Sequence, residues 1–514
     1  MTTAISLLPQ MVGANLPPPL LTSLPNDEQA LIRGLSTKLT MQAARARLRW
    51  LYYDGEQQLQ NLGISVPPTL AGIRTVVDWP RICVDPLVQR CTLDGFRLAG
   101  ETAVDDELQG WFAENDLAAE LPLAFLDSFV TGRGYLIVGS PDNDSDPPLI
   151  TVESPLNLAM AWDPRTRHAT AAYQSYEAEG IYRAVLYTPS RTVSMSRQDN
   201  GATSWRVDEV DEHNFGEVPV VRLPNRARTS DREGRSEISV PIMRTTDSAC
   251  RTLLGMEIGR EFYSVPHRWV IGASESNFVD SAGNKKTPWD IALSKMLALE
   301  ADEHGNLPQV GQFRAYDPSV FTKIIDEHAQ LMSSYTGFPP SYFGQTSTAN
   351  PASADAIRVS ENGIVKRAQQ AQNHFTGPLR NLMRLAWRFA HDGEQPPADV
   401  RHMDIDWVDA ATPTPSATAD AISKEVQTGI MPARSDVTWS KLGLSAVQRA
   451  RLRADFEADP VNQMIAELGT NFEAKDIIAA IRFLKVTGQP VPSPDEVPAA
   501  DVASGATGRQ VSSR

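Results

Sequence analysis

The most metal-like string in the sequence is Asp142-Asn143-Asp144-Ser145-Asp146, with Glu153 where a calcium loop places its bidentate carboxylate. Such a loop turns sharply through a glycine at its sixth position, and here that place is held by Pro147, followed by Pro148. The string therefore reads as an acidic, proline-terminated turn between strands. Asp404 and Asp406 alternate in MDIDW, which puts both carboxylates on one strand face. A two-metal nuclease needs further carboxylates beside them, so this pair reads as a solvated edge. Lys285-Lys286-Thr287 follows a glycine but lacks the upstream glycine that a phosphate cradle requires. There is no HExxH and no GxSxG, and the glycines at 132, 134 and 139 do not match a dinucleotide fingerprint. The eight histidines stand singly, and Cys83, Cys91 and Cys250 contain no CxxC, so neither a zinc site nor a disulfide framework is expected. Trp50, Tyr52, Tyr53 and Trp79 offer rings on which bases could stack, but their helical spacing fits core packing better. These residues assemble no catalytic or cofactor site, and the expectation is a protein that is not an enzyme and carries no cofactor or metal.

The elements around these residues are mostly helical. At about 150 residues per domain, 514 residues make three or four units. Lys plus Arg is 48 against 63 Asp plus Glu, a net charge of −15, which argues against a protein that grips nucleic acid through a broad basic surface. It does not exclude a protein through which DNA passes. The first residues lack a basic start and are broken by prolines, so no signal peptide is expected, and no apolar run of about 18 residues marks a membrane span. Leu31, Leu35, Leu39, Ala43 and Leu48 predict a helix over 26–60, started by Asn26 and Asp27 as cap and dipole partner and stopped near Gly55. Helices are also expected at 69–78, 80–90, 104–116 and 118–131.

From 134 to 223, short β-rich runs separated by Pro, Gly, Asp and Asn predict an antiparallel sheet region inserted into a helical protein. Helix returns near Ser239, with Ile242, Ala249, Leu253 and Met256 on one stripe and Arg244, Asp247 and Arg251 on another. An irregular span over 263–316 holds a hairpin-like turn at 280–284 and a short helix at 289–300. A helix over 318–336 ends at Gly337, and the longest helical pattern runs from Ser353 to Ala390 with a kink at Gly377-Pro378. Beyond a Thr/Pro-rich link, helices are expected at 417–428, 445–457, 460–468 and 471–486, and the tail from Gln489 has too few apolar residues to form a core.

Several blocks in this order resemble the portal proteins of long-tailed bacteriophages, of the kind found in phages of actinobacteria. They are RLRWLYYDGEQ (47–57), IRTVVDWPRICVDPLVQRCTLDGF (73–96), FVTGRGYLIVG (129–139), WDPRTR (162–167), GRSEI (234–238), VPHRWVIG (265–272), YTGFPPSYFG (335–344) and NPASADAIRVSENGIVKRAQQAQNHF (350–375). Each block is weakly specific alone; their order and spacing carry the likeness.

The resemblance implies an α+β, mostly helical subunit with wing, stem, clip and crown. It implies assembly as a cyclic ring, usually of twelve copies, at one capsid vertex of the virion, built in the host cytoplasm. Carried over by position, 1–25 is an N-terminal arm and 26–235 wing. The stem comprises 236–262 and 317–337 on either side of the clip at 263–316. Wing resumes over 338–409 with a tunnel loop at 341–354, 410–488 is crown, and 489–514 is a disordered tail. The implied function is passage of double-stranded DNA during packaging and ejection, together with head–tail attachment. The implied partners are a terminase motor, a head-completion adaptor, and the major capsid and scaffolding proteins, with no membrane. Gln345, Thr346, Ser347, Thr348 and Asn350 are the implied tunnel-loop residues, and Arg244, Asp247 and Arg251 the channel-face candidates of the stem. Two other classes stand against this reading: a nucleic-acid-processing enzyme with an atypical site, and a scaffold or adaptor with no channel.

Overall fold

The computed structural model describes residues 19, 21, 23–59, 74–100, 105–141, 146–198, 205–263, 268–272, 305, 307–312, 317–345, 354–411, 415–444 and 446–458. The chain is a mixed α+β protein that divides into two compact units, Met1–Thr412 and Pro413–Arg514.

Helix α1 (Asn26–Tyr53) buries Ile32, Leu35, Leu39, Ala43 and Ala46 along one stripe. Leu48, expected on that stripe, is 47% exposed. Five residues beyond Ala43 the helix has turned about 140° out of phase, whereas Ala46 keeps the three-to-four spacing. Pro25 takes the N-cap position without a side-chain hydrogen bond, so Asn26 lies inside the first turn and only Asp27 keeps its expected role beside the helix dipole. At the other end Gly55 adopts φ +70°, and a Cβ there would meet Val76 at 2.7 Å.

The helix expected over 69–78 is not formed in its described part, since 74–78 has no regular structure, and 69–73 lies outside the described residues. The segment expected as one helix at 80–90 is instead two single turns, α2 (Trp79–Ile82) and α3 (Asp85–Val88), because Pro86 cannot continue the hydrogen-bond ladder of the first. Strand β1 (Leu93–Arg97) follows, then α4 (Asp106–Glu114), capped by the Asp105 carboxylate accepting from the Leu108 N–H at 2.9 Å, and α5 (Leu117–Thr131).

The β-rich region forms two antiparallel sheets rather than one. One holds β2 (Arg133–Gly139) between β3 (Leu149–Glu153) and β9 (Val220–Pro224). The other is a meander of β4 (Leu158–Trp162), β5 (Ala169–Ala178), β6 (Ile181–Tyr187), β7 (Thr192–Gln198) and β8 (Arg206–Asp211). Both faces of β5 are covered: Ala171 and Tyr173 pack with α1, while Ala172 packs with Tyr135 and Val220 of the smaller sheet. That double burial explains why TAAYQSY reads as a nearly continuous apolar run instead of an alternating one.

Helix α6 (Val240–Tyr263) packs against α7 (Ser319–Thr336). Gly255 of α6 lies so close to Phe321 that a Cβ would stand 3.3 Å from its ring. Between these helices β10 (Arg268–Ile271) and β11 (Gln309–Gln312) form an antiparallel ribbon, with the Trp269 ring lying over Gly311. The expected turn at 280–284 and helix at 289–300 lie outside the described residues.

Gly337 stops α7 with φ +70°, and a single 3-10 turn, Pro340–Phe343, leads toward α8 (Ala354–Ala390). The 37 residues of α8 extend about 55 Å and stay helical through Gly377 and Pro378. Ile364, Ala368, Ala371, Phe375, Leu379, Leu382 and Ala386 are buried as their spacing predicts; Phe375 stacks on Phe125 with centroids 4.9 Å apart. A short α9 (Ala398–Arg401) leads into β12 (Asp404–Trp407), which pairs with β1.

The second unit contains α10 (Pro415–Gln427), α11 (Asp436–Lys441) and α12 (Ala446–Ala458), with Trp439 stacked on Phe456 at 5.6 Å and Asp436 facing Arg453 at 3.2 Å. The helices expected at 460–468 and 471–486, and the tail from 489, lie outside the described residues. No described helix is long and apolar enough to cross a membrane.

Candidate functional site

Helix α7 has two apolar faces. Ala329, Met332 and Thr336 are buried against the rest of the subunit. Val320, Ile324, Leu331 and Tyr335, spaced four, seven and four residues apart, form a second stripe that is exposed, from 36% at Ile324 to 55% at Val320. A helix that serves only one core needs one stripe, so the second is apolar surface that the described residues leave uncovered.

Among the stem candidates on α6, Arg244 and Arg251 are seven residues apart, on one exposed helix face. Asp247 is 9% exposed and does not join them: both of its carboxylate oxygens accept from the Tyr52 hydroxyl at 2.9 Å. Burial, and next that hydrogen bond, push the Tyr52 phenol up to about 12. With Asp247 engaged inside the subunit, Arg244, Arg251, Arg260 and Lys323 on the two helices stand against Glu257, Glu261, Asp326 and Glu327, four of each sign.

The base of these helices is held by a buried ionic centre. Glu237, 3% exposed, accepts from the Asn225 amide at 2.9 Å, from Arg226 at 3.2 Å and from Arg367 of α8. Its own N–H donates to the Phe129 carbonyl at 2.8 Å. Arg367 also donates to the Thr336 carbonyl at the end of α7 and lies over the Phe338 ring at 5.3 Å. Close backbone crossings frame the centre. A Cβ on Gly234, whose φ is +94°, would fall 2.0 Å from the Gly132 oxygen, and one on Gly363 would fall 2.5 Å from the Gly337 oxygen.

The loop after α7 is anchored at its first residues. Phe343 packs edge-on against Trp79 at 6.3 Å, and the Tyr342 hydroxyl donates to Glu361 at 3.1 Å. The Gln345 side chain donates to the Asp326 carbonyl, so this predicted loop residue is tied back to α7. Thr346, Ser347, Thr348 and Asn350 lie outside the described residues.

The other residues singled out by chemistry fall into structural roles. Arg97 lies 3.7 Å from Asp404 and 3.1 Å from Asp406, on β12 beside its own strand β1. Trp50 packs edge-on to Tyr53 at 5.3 Å, and the Tyr53 hydroxyl donates to Asp85 at 2.6 Å, so these rings are tied into the subunit. Asp142–Ser145 lies outside the described residues; Glu153, in β3, has its carboxyl pushed up to about 7 by burial. Among the described residues no group of three or more His, Cys, Asp or Glu side chains could hold a metal ion. Composition alone did not reveal the Glu237 centre, whose partners lie as far as 130 residues away.

A family model described as "Phage portal protein, SPP1 Gp6-like" matches residues 35–441. The chain belongs to this portal family. It is 35% identical over 432 residues to the portal protein of Mycobacterium phage D29, covering 82% of this chain and 87% of the relative. It is 34% identical, with the same coverage, to the portal protein of Mycobacterium phage L5. The portal-family match spans the α6–α7 pair, the Glu237 centre, the loop after α7 and all of α8, and it ends with α11.

Proposed function

We propose that this chain is the subunit of a closed ring, of about twelve copies, that forms the DNA channel at one vertex of a phage capsid. The observation that carries the reading is the exposed apolar stripe on α7: a helix with a second apolar face is suited to be covered by a neighbouring copy. In this reading α6 and α7 are the stem, β10 and β11 the root of the clip, the two sheets with α1 and α8 the wing, and the second unit the crown.

The balanced charges of the stem suit a passage that DNA must slide through. A ring of uncompensated cations would bind phosphate many times over and hold the duplex in place. Arg244 and Arg251 are the stem's channel-face candidates, with nearby acids to moderate their attraction. Asp247 drops out of that set because Tyr52 engages it within the subunit. Eight residues separate Gln345 from α8, and in this reading they supply Thr346, Ser347, Thr348 and Asn350 as uncharged brushing groups. The ring docks a terminase motor while DNA enters, then a head-completion adaptor, within a shell of capsid and scaffolding proteins, and it releases the genome at ejection.

Negative-stain imaging of the purified chain tests the reading. Rings with a central hole are the expected particles, and a population of monomers at micromolar concentration in every salt condition contradicts it.

A further inference from the structure

On this acidic chain one surface is strongly basic. A groove of about 790 Å³ runs between α1 and the 226–240 segment. Lys38, Arg45, Arg49, Arg133, Arg226 and Arg235 line it, against only Asp231 and Glu233. Glu233 is already saturated by Lys38 at 2.8 Å, Arg133 at 2.6 Å and Arg222 at 3.1 Å. Arg226 is committed to Glu237. Arg45 and Arg235 are exposed and take part in no salt bridge among the described residues. The buried Nε of Arg49 has no hydrogen-bond partner, and burial, followed by the charges of Arg45 and Arg133, holds that guanidinium below its usual range. The groove is short of negative charge by its own geometry.

The complementary surface lies on the same sheet. Lys38 and Gln42 of α1 donate to the carbonyls of Met160, Pro155 and Leu158, which fixes the groove along the β4 edge of the five-stranded sheet. Strand β8 is the opposite edge, four strand spacings or about 19 Å away. Its residues Asp208, Glu209, Val210 and Asp211 and the following Glu212 are exposed, and Glu209 and Asp211 are held by no salt bridge among the described residues. One sheet thus carries a cationic groove at one edge and an acidic strand at the other. Opposite and different surfaces on one subunit join copies head to tail, the kind of contact that closes into a ring.

We propose that the basic groove of one copy receives the acidic β8 edge of the next copy. The inference rests on the ring reading above and names where its wing contacts lie. The charges also protect β8 from pairing with the wrong edge, since a strand rich in carboxylates joins only a surface that neutralises them.

The test uses the full chain and three variants: Arg45→Glu with Arg235→Glu, Glu209→Arg with Asp211→Arg, and all four together, each with a thermal melt as a control for folding. Mass photometry at about 0.1 M salt reads the fraction of protein in rings. Each double reversal is expected to lower that fraction about tenfold, and the fourfold variant to recover most of it, because the opposed charges are restored with their places exchanged. Recovery also excludes misfolding as the cause of the loss. If both double variants form rings like the parent, or if the fourfold variant fails to recover, the two edges do not meet and the inference is overturned while the ring reading stands. If the parent itself forms no rings, it is the ring reading that fails.

Discussion

Arg367, in the middle third of the long helix, donates to the carboxylate of Glu237 at the foot of α6 and to the Thr336 carbonyl at the end of α7, so one guanidinium ties three helices at a single point. The carboxylate is 3% exposed; Arg226 and Arg367 neutralise it and the Asn225 amide donates a hydrogen bond to it. Glu237→Ala leaves Arg367, whose side chain is 23% exposed, and the Asn225 amide without their acceptor and is expected to lower stability by about 2–3 kcal/mol, read as a fall in denaturant midpoint with unchanged slope. A loss within about 0.5 kcal/mol would mean that the centre does not hold the stem base.

The α7 stripe makes a separate prediction. Ile324→Asp with Leu331→Asp places charge on a surface that is exposed within one subunit, so the melting temperature of the monomer should change little. Ring assembly should be lost, because a charge would be buried in an apolar contact repeated around the ring. Sedimentation velocity separates the two effects, and intact rings from this variant would place the contact elsewhere.

Asp127 gives a pH dependence. Burial pushes its carboxyl up to about 7, with the Ser154 hydroxyl, 3.4 Å away, pulling weakly the other way. A carboxyl whose folded pKa is raised contributes stability that is fully present below about 4 and is lost as pH rises through about 7. The expected result is that Asp127→Asn stabilises the protein at pH 8 relative to the parent and that the gain shrinks toward pH 4. Glu217 and Glu233, which shift in the opposite direction, cancel in the difference between the two melting curves, whereas Glu153, whose charge raises Asp127, shifts in the same direction and is eased by the same substitution, so the difference reports the two carboxyls together. A gain that does not vary with pH would show that the carboxyl is ionised throughout.

The loop after α7 is tested by adding charge. Thr346→Arg with Thr348→Arg should leave ring yield unchanged while slowing DNA translocation in a packaging assay, with the slowing relieved as salt rises. Normal packaging rates from intact rings would take the loop out of the channel.

How far the fold was legible depended on the range of each interaction. The period of α8 was readable because Ile364 through Ala386 all face one core, and the end of α7 was readable because Gly337 supplies a left-handed stop. The double burial of β5 was visible only as an apolar run, without revealing that two different partners cover it. Long-range pairings left no local trace: β1 joins β12 across about 310 residues, and Asp247 turns to Tyr52 rather than to the arginines on its own helix. The helical face of α1 that carries Lys38, Gln42, Arg45 and Arg49 was readable in the spacing, but its apolar stripe drew the reading to the core alone.

The central claim is a ring in which α6 and α7 surround a passage for duplex DNA. Cryo-electron microscopy of the purified chain tests it most directly. The account predicts a closed cyclic assembly with an open axis, Val320, Ile324, Leu331 and Tyr335 covered by a neighbouring copy, and Arg244 and Arg251 turned toward the axis. An assembly with no central passage, or a ring whose α7 stripe faces solvent, would contradict it.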